Sequence, residues 1–171
     1  MEYVAHFDGA CMPRNPGGYG GWGYVIDGVD ALTVELAQGC GVLPAGPGMT
    51  CNVAEYTAAL ECLRGFAALE LGKVVVVRGD SQLVIGQMSG QRKAKSGAYL
   101  PVYRETLEFV QAHRLEVRWE WIERSFNGRA DALSRTKLAG LPWPPSSNET
   151  RAQGSASKSK DQVISSTRSR P

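Results

Sequence analysis

Lys73-Val74-Val75-Val76-Val77-Arg78-Gly79-Asp80 is the stretch on which the fold turns. Four consecutive valines leave no polar side for solvent, so the run reads as a central strand covered on both faces, ended by glycine and aspartate. A strand covered on two faces needs helices to cover it, and the chain supplies them. Upstream, Tyr56, Leu60, Leu63 and Ala67, flanked by Ala59 and Phe66, form a wide apolar stripe from Asn52 to about Leu71, with Gly72 as the expected stop. Downstream come a short helix from Ser81 to about Met88, a Gly/Lys-rich turn over Ser89 to Gly97, and a helix carrying Leu100, Tyr103, Leu107 and Val110. Val117, Trp119 and Trp121 alternate as a fifth strand, and Ala130 to Ala139 reads as a last helix.

Ahead of the long helix, 11 of the 20 glycines fall at or before Gly48, interleaved with short alternating runs. That pattern is a strand meander with tight turns. Its three strands are Tyr3 to Asp8, Gly20 to Asp27 and Ala31 to Gly39, and in the first of them Val4, His6 and Asp8 share one face. The order βββαβααβα is an α/β sandwich around one mixed sheet.

At 171 residues the chain is long enough for one self-sufficient core. That domain is expected over 1–141, because after Leu141 come Pro142, Pro144, Pro145 and eight serines, too few apolar side chains to offset ordering entropy. The segment 142–171 is therefore expected to be a disordered basic tail. No apolar run approaches the ~20 residues of a membrane span, and Met1-Glu2-Tyr3 begins no secretory signal, so the expected location is cytoplasmic. Cys11, Cys40, Cys51 and Cys62 contain no C-x-x-C pair and support neither a zinc site nor a disulfide framework. Residues 139–171 hold five Lys/Arg against two Asp/Glu, which leaves 14 basic and 15 acidic residues in 1–138. Attraction to a polyanion must then come from local clusters, metal ions or the tail.

Four carboxylates stand at element junctions: Asp8 ending strand one, Glu55 in the first turn of the long helix, Asp80 after the valine strand, and Asp131 opening the last helix. Each has a bland reading. Asp8-Gly9 suits a turn, Asn52-Val53-Ala54-Glu55 a capping box, Asp80-Ser81 a helix cap, and Asp131 a helix dipole. If strands one and four are adjacent and parallel, however, Asp8 and Asp80 emerge together at the carboxyl edge of the sheet, where open α/β folds place their sites. Converging carboxylates repel, and hard oxygen donors with few imidazoles call for Mg²⁺ or Mn²⁺ rather than zinc.

These residues carry a family likeness. Asp8-Gly9-Ala10-Cys11 with Asn15-Pro16-Gly17-Gly18-Tyr19-Gly20, Thr50-Cys51-Asn52-Val53-Ala54-Glu55, Gly79-Asp80-Ser81-Gln82 and Asn127-Gly128-Arg129-Ala130-Asp131 resemble, in that order, the type 1 ribonuclease H family. The likeness covers roughly residues 1–140. It implies a five-stranded mixed sheet of order 3-2-1-4-5 with helices on both faces, and a two-metal hydrolysis of the RNA strand of RNA/DNA hybrids that leaves 5′-phosphate and 3′-hydroxyl ends. It maps the catalytic and metal-binding acids onto Asp8, Glu55, Asp80 and Asp131, with two Mg²⁺ per site or Mn²⁺ as substitute. Substrate-binding roles fall by position to Asn15, Thr50, Cys51, Asn52, Gln82 and Asn127, with backbone groups near Cys11. Asn, Gln and Thr side chains offer what a 2′-hydroxyl in a shallow minor groove demands. The implied partner is a hybrid, with double-stranded RNA as a second candidate, for a monomer off the membrane.

Two departures from the family pattern stand out. Many relatives carry a catalytic histidine in a loop before the last helix, where this chain reads Ile122-Glu123-Arg124-Ser125-Phe126-Asn127. Shorter relatives often have an arginine there, so Arg124 is the candidate substitute. The basic insertion of many relatives shrinks here to Arg92, Lys93 and Lys95, which are candidates for contacting the DNA backbone. Gly18-Tyr19-Gly20-Gly21-Trp22-Gly23 matches G-x-G-x-x-G but precedes a strand, so it lacks the helix N-terminus a dinucleotide needs. Two rival functions remain: a nuclease of the resolvase or transposase type that cuts DNA, and a non-catalytic hybrid-binding module.

Overall fold

In a computed structural model, which describes residues 1–142, the chain runs β1 (Glu2–Met12), β2 (Tyr19–Val29), β3 (Thr33–Leu43), α1 (Cys51–Ala68), β4 (Val74–Gly79), α2 (Gln82–Met88), α3 (Leu100–His113), β5 (Glu116–Trp121) and α4 (Gly128–Thr136). A 3₁₀ turn over Arg124–Phe126 precedes α4. Apart from Pro142, the expected tail lies outside the described residues.

The five strands form one sheet of order β3-β2-β1-β4-β5. The first three pair antiparallel, while β4 runs parallel to both β1 and β5. Helices α1, α2 and α3 lie together on one face, and α4 packs on β1 and β2 from the other. Both faces of the valine run are covered as expected: Val75, Val76 and Val77 are buried, and only Val74 at the strand's start is exposed. Phe7, Tyr56, Leu63 and Phe66 fill the core beneath α1.

Local details differ from the sequence reading for identifiable reasons. β1 continues to Met12 because its pairing with β2 runs to Met12↔Tyr19, so Asp8-Gly9 is mid-strand and not a turn. Thr50 caps α1, its hydroxyl accepting from Val53 N at 3.2 Å, so Asn52 is no cap and Glu55 lies in the second turn. The helix ends at Ala68, before the expected Leu71, because Glu70 turns left-handed at φ 53°. Leu107 faces outward on α3, where Thr106 takes the buried place instead.

Glycine is required where the helices meet the sheet. A Cβ on Gly9 would lie 2.2 Å from Glu55 N, so α1 rests on the bare backbone of β1 at the turn that carries Glu55. On the opposite face, a Cβ on Gly23 would lie 2.5 Å from Ser134 N in α4. Gly9→Ala should push α1 off the sheet at Glu55. The overpacking should cost on the order of 3 kcal/mol, read as a drop in the urea midpoint against the parent chain.

Candidate active site

β1 and β4 set the site. Their parallel register pairs Ala5 with Val77 and His6 with Arg78, and two residues further along it Asp8 and Asp80 come abreast. Asp8 is opposite Gly23, which offers no side chain beside it, and is 6% exposed. Glu55 arrives from α1 over Gly9, and Asp131 comes from the first turn of α4.

Each carboxylate has a donor. The Ser134 hydroxyl lies 2.7 Å from Asp8 Oδ2 and 2.8 Å from the Asp131 carbonyl, one proton serving two acceptors. Ser81 donates to Glu55. Asn127 Nδ2 bridges the Phe7 carbonyl at 2.9 Å and Asp80 Oδ1 at 3.0 Å. Arg124 Nη2 reaches Asp131 Oδ1 at 2.5 Å, and Arg135 reaches the same oxygen at 3.2 Å.

These donors do not neutralise the acids. Burial raises the Asp8 carboxyl to about 6, with Asp80 and Asp131 pushing the same way against Ser134 and Arg124. Glu55 is pushed up to about 7, again by burial first and then by Asp8 and Asp80. Arg124 is held above the usual guanidinium range chiefly by its hydrogen bond to Asp131. Two partly buried acids with raised affinity for protons, ringed by further carboxylates, have an unmet demand for positive charge.

That donor set suits a hard divalent cation, since carboxylate oxygens are the ligands Mg²⁺ and Mn²⁺ take. Among the described residues, no three His, Cys, Asp or Glu side chains are gathered closely enough to hold an ion between them. Asp8, Glu55, Asp80 and Asp131, each turned to its own donor, are the residues that would hold such an ion.

The expected substrate residues divide. Asn52 and Gln82 are exposed near the N-termini of α1 and α2. Asn15 Oδ1 accepts from Cys51 N at 3.2 Å, tying the β1–β2 turn to the start of α1. Thr50 is engaged as the helix cap. Arg92, Lys93 and Lys95 are exposed on the α2–α3 turn. One expectation needs correction. Asn127 is only 1% exposed and braces Asp80, so it is not available to substrate. Cys11 is buried, its thiol donates to the Arg14 carbonyl at 3.1 Å, and its backbone N–H points to the Cys51 sulfur. The sequence reading overlooked Ser134 altogether. Its role rests on contact with a residue 126 positions away, which no local pattern can signal.

A family model described as reverse transcriptase-like matches residues 6–137. A ribonuclease H of Anaeromyxobacter is 31% identical over 159 residues, spanning 84% of this chain and 83% of the relative. The chain belongs to the type 1 ribonuclease H family. A bifunctional protein of Mycobacterium tuberculosis is 32% identical over 140 residues, but this chain spans only 36% of its length. The solved N-terminal ribonuclease H domain of that protein superposes with a TM-score of 0.69 at 28% identity, covering 90% of this chain and 98% of the domain. LC11 ribonuclease H1, solved in complex with an RNA/DNA hybrid, gives a TM-score of 0.69 at 25% identity, with 81% of this chain and 100% of that one covered.

In this ribonuclease H family member the raised acids tie stability to pH. A carboxyl whose folded pKa exceeds its unfolded value near 4 destabilises the fold once both states ionise, so its contribution to stability falls as pH rises from about 4 to 6 for Asp8. Without metal, Asp8→Asn should therefore be more stable than the parent at pH 7.5, by on the order of 1–2 kcal/mol. The difference should close towards pH 4. Urea melts at the two pH values check both the sign and its loss.

Proposed function

We propose that this chain is a divalent-metal-dependent endoribonuclease that cuts the RNA strand of RNA/DNA hybrids, leaving 5′-phosphate and 3′-hydroxyl ends. The observation that carries the reading is the convergence of Asp8, Glu55, Asp80 and Asp131 from four elements onto one sheet edge, with Asp8 and Glu55 raised by burial and by their acidic neighbours. The hybrid in the LC11 complex favours the same substrate class. When bound, two Mg²⁺ or Mn²⁺ ions supply an activated water and charge stabilisation for the leaving 3′-oxygen.

The chain's own residues hold the acids for that task. Ser134 within α4 and Asn127 at its start hold the carboxylates of Asp8 and Asp80. Arg124 pairs with Asp131 through one Nη and has further N–H donors on its fork to offer a phosphate. Asn15, Thr50, Cys51, Asn52 and Gln82, at the ends of β1, α1 and α2, are the proposed contacts to ribose and phosphate, with Arg92, Lys93 and Lys95 following the DNA strand. A binding module without catalysis would gain nothing from burying mutually repelling acids.

Cleavage of end-labelled hybrid, free RNA, double-stranded RNA and DNA duplex, each with and without Mg²⁺ or Mn²⁺, tests the proposal. Hybrid alone, or hybrid with double-stranded RNA, should be cut, and only with metal; cutting of DNA duplex in preference would select the resolvase-type reading. Asp80→Asn should fold normally and lose at least about a hundredfold in kcat, the share a charge-stabilising metal site supplies.

Arg124 acts through charge and position. A guanidinium does not titrate below pH ~12, so the rate should climb with pH without the inflection near 6.5 that a loop histidine would impose. Arg124→Ala should lower kcat by about tenfold, and Arg124→Lys should recover part, since it keeps the charge but not the planar fork. A parent-like rate for Arg124→Ala would return the residue to the solvated surface.

A further inference from the structure

Residues 121–127 grip Asp80 at two points and expose two aromatic rings beside it. Trp121 Nε1 donates to the Asp80 carbonyl at 3.1 Å, while Asn127 Nδ2 holds the Asp80 side chain at 3.0 Å. Between these anchors the backbone is pinned in a 3₁₀ turn by Phe126 N to Glu123 O and Asn127 N to Arg124 O, both 2.9 Å. Trp121 is 47% exposed, and Phe126 is 72% exposed although its neighbour Asn127 is 1% exposed. What sets Phe126 apart is its place: a large apolar ring on a fixed backbone, one residue from the buried anchor that holds Asp80.

The surroundings identify what covers it. Arg124 and Arg135, both on Asp131, flank the same edge with exposed guanidiniums. The matching ligand presents a flat π-face next to an anionic backbone, which is a nucleotide. Bases inside a hybrid have both faces covered by their neighbours, so beside the paired stretch it is an unpaired base that can turn out and stack on the ring. We infer that Phe126, seconded by Trp121, is a stacking platform for an unpaired nucleotide flanking the hybrid beside the scissile site. The inference deepens the proposed function, since it gives that nuclease a preference for hybrids carrying a single-stranded flank.

The test compares a blunt hybrid with the same hybrid carrying three-nucleotide single-stranded flanks, in which the first flanking base is 2-aminopurine. Two readouts are taken on the parent chain, Phe126→Ala and Phe126→Trp. The parent and Phe126→Trp should quench 2-aminopurine on binding and favour the flanked substrate by about tenfold in kcat/KM, in line with one stacked base. Phe126→Ala should lose the quenching and bring the ratio close to one, with an unchanged urea midpoint because the ring is not buried. Quenching is read in Ca²⁺ or without metal, so a parent chain that binds and quenches but never cleaves would overturn the nuclease reading and leave the platform standing. Parent-like quenching and preference in Phe126→Ala would overturn the platform. So would a parent chain that quenches neither flank or treats both substrates alike, which would leave the rings to a protein partner.

Discussion

Like-charge repulsion at one edge of the sheet is the constraint around which the molecule is arranged. Asp8 and Asp80 are brought abreast by the parallel β1–β4 ladder, and Glu55 and Asp131 are lowered onto them from opposite faces. In water such a group would spread apart. It is held because two bare glycines, Gly9 and Gly23, let backbone rest on backbone, so helix positions are set by steric contact that Coulomb forces cannot open. The neutral donors Ser81, Ser134 and Asn127 orient the acids, and Asp8 and Glu55 are raised by burial first and by their acidic neighbours second. Holding buried acids side by side costs stability, as functional sites commonly do.

The order of elements and the four acids were legible from sequence because both rest on local signals. The valine run has no polar alternation, the apolar stripe of α1 repeats with the helical period, and each acid ends or opens an element. Sheet order came from the family likeness, since strand pairing is a non-local property that periodicity does not encode. What stayed hidden was whatever depends on partners distant in the chain. Gly9 reads as a turn residue until α1 is seen lying on it, and Asp8-Gly9 accordingly looked like the end of a strand that in fact runs on to Met12. Asn127 looked like a polar residue facing substrate, yet its amide is used inside the fold across 120 and 47 positions.

Two polar networks finish the placement of the helices that bear acids. On the α4 side, Arg129 forks onto both oxygens of Asp27 at 2.8 and 3.1 Å and also onto Glu35, clamping the start of α4 to β2 and β3 at the point where their register shifts. Asp27 is 5% exposed, so removing Arg129 would strand a buried charge. On the α1 side, the hydroxyl of Tyr56, next to Glu55, donates to Gln87 Oε1 at 2.5 Å, and Gln87 Nε2 reaches Tyr99 at 3.0 Å and the Lys93 carbonyl at 3.4 Å.

The second network reaches beyond packing. Gln87 is 5% exposed, and its amide joins the helix that carries Glu55 to the turn that carries Arg92, Lys93 and Lys95. A turn with so few apolar side chains would be loose on its own, and its cations would be spread over many rotamers. Holding Lys93 by its carbonyl, and Arg92 through its N–H to the Gly86 carbonyl at 2.7 Å, fixes the backbone from which those cations project. Apolar residues in these places would pack as tightly but would hold no carbonyl, because dispersion lacks direction and a hydrogen bond has it. A buried amide thus gives the short basic turn one conformation relative to the acids.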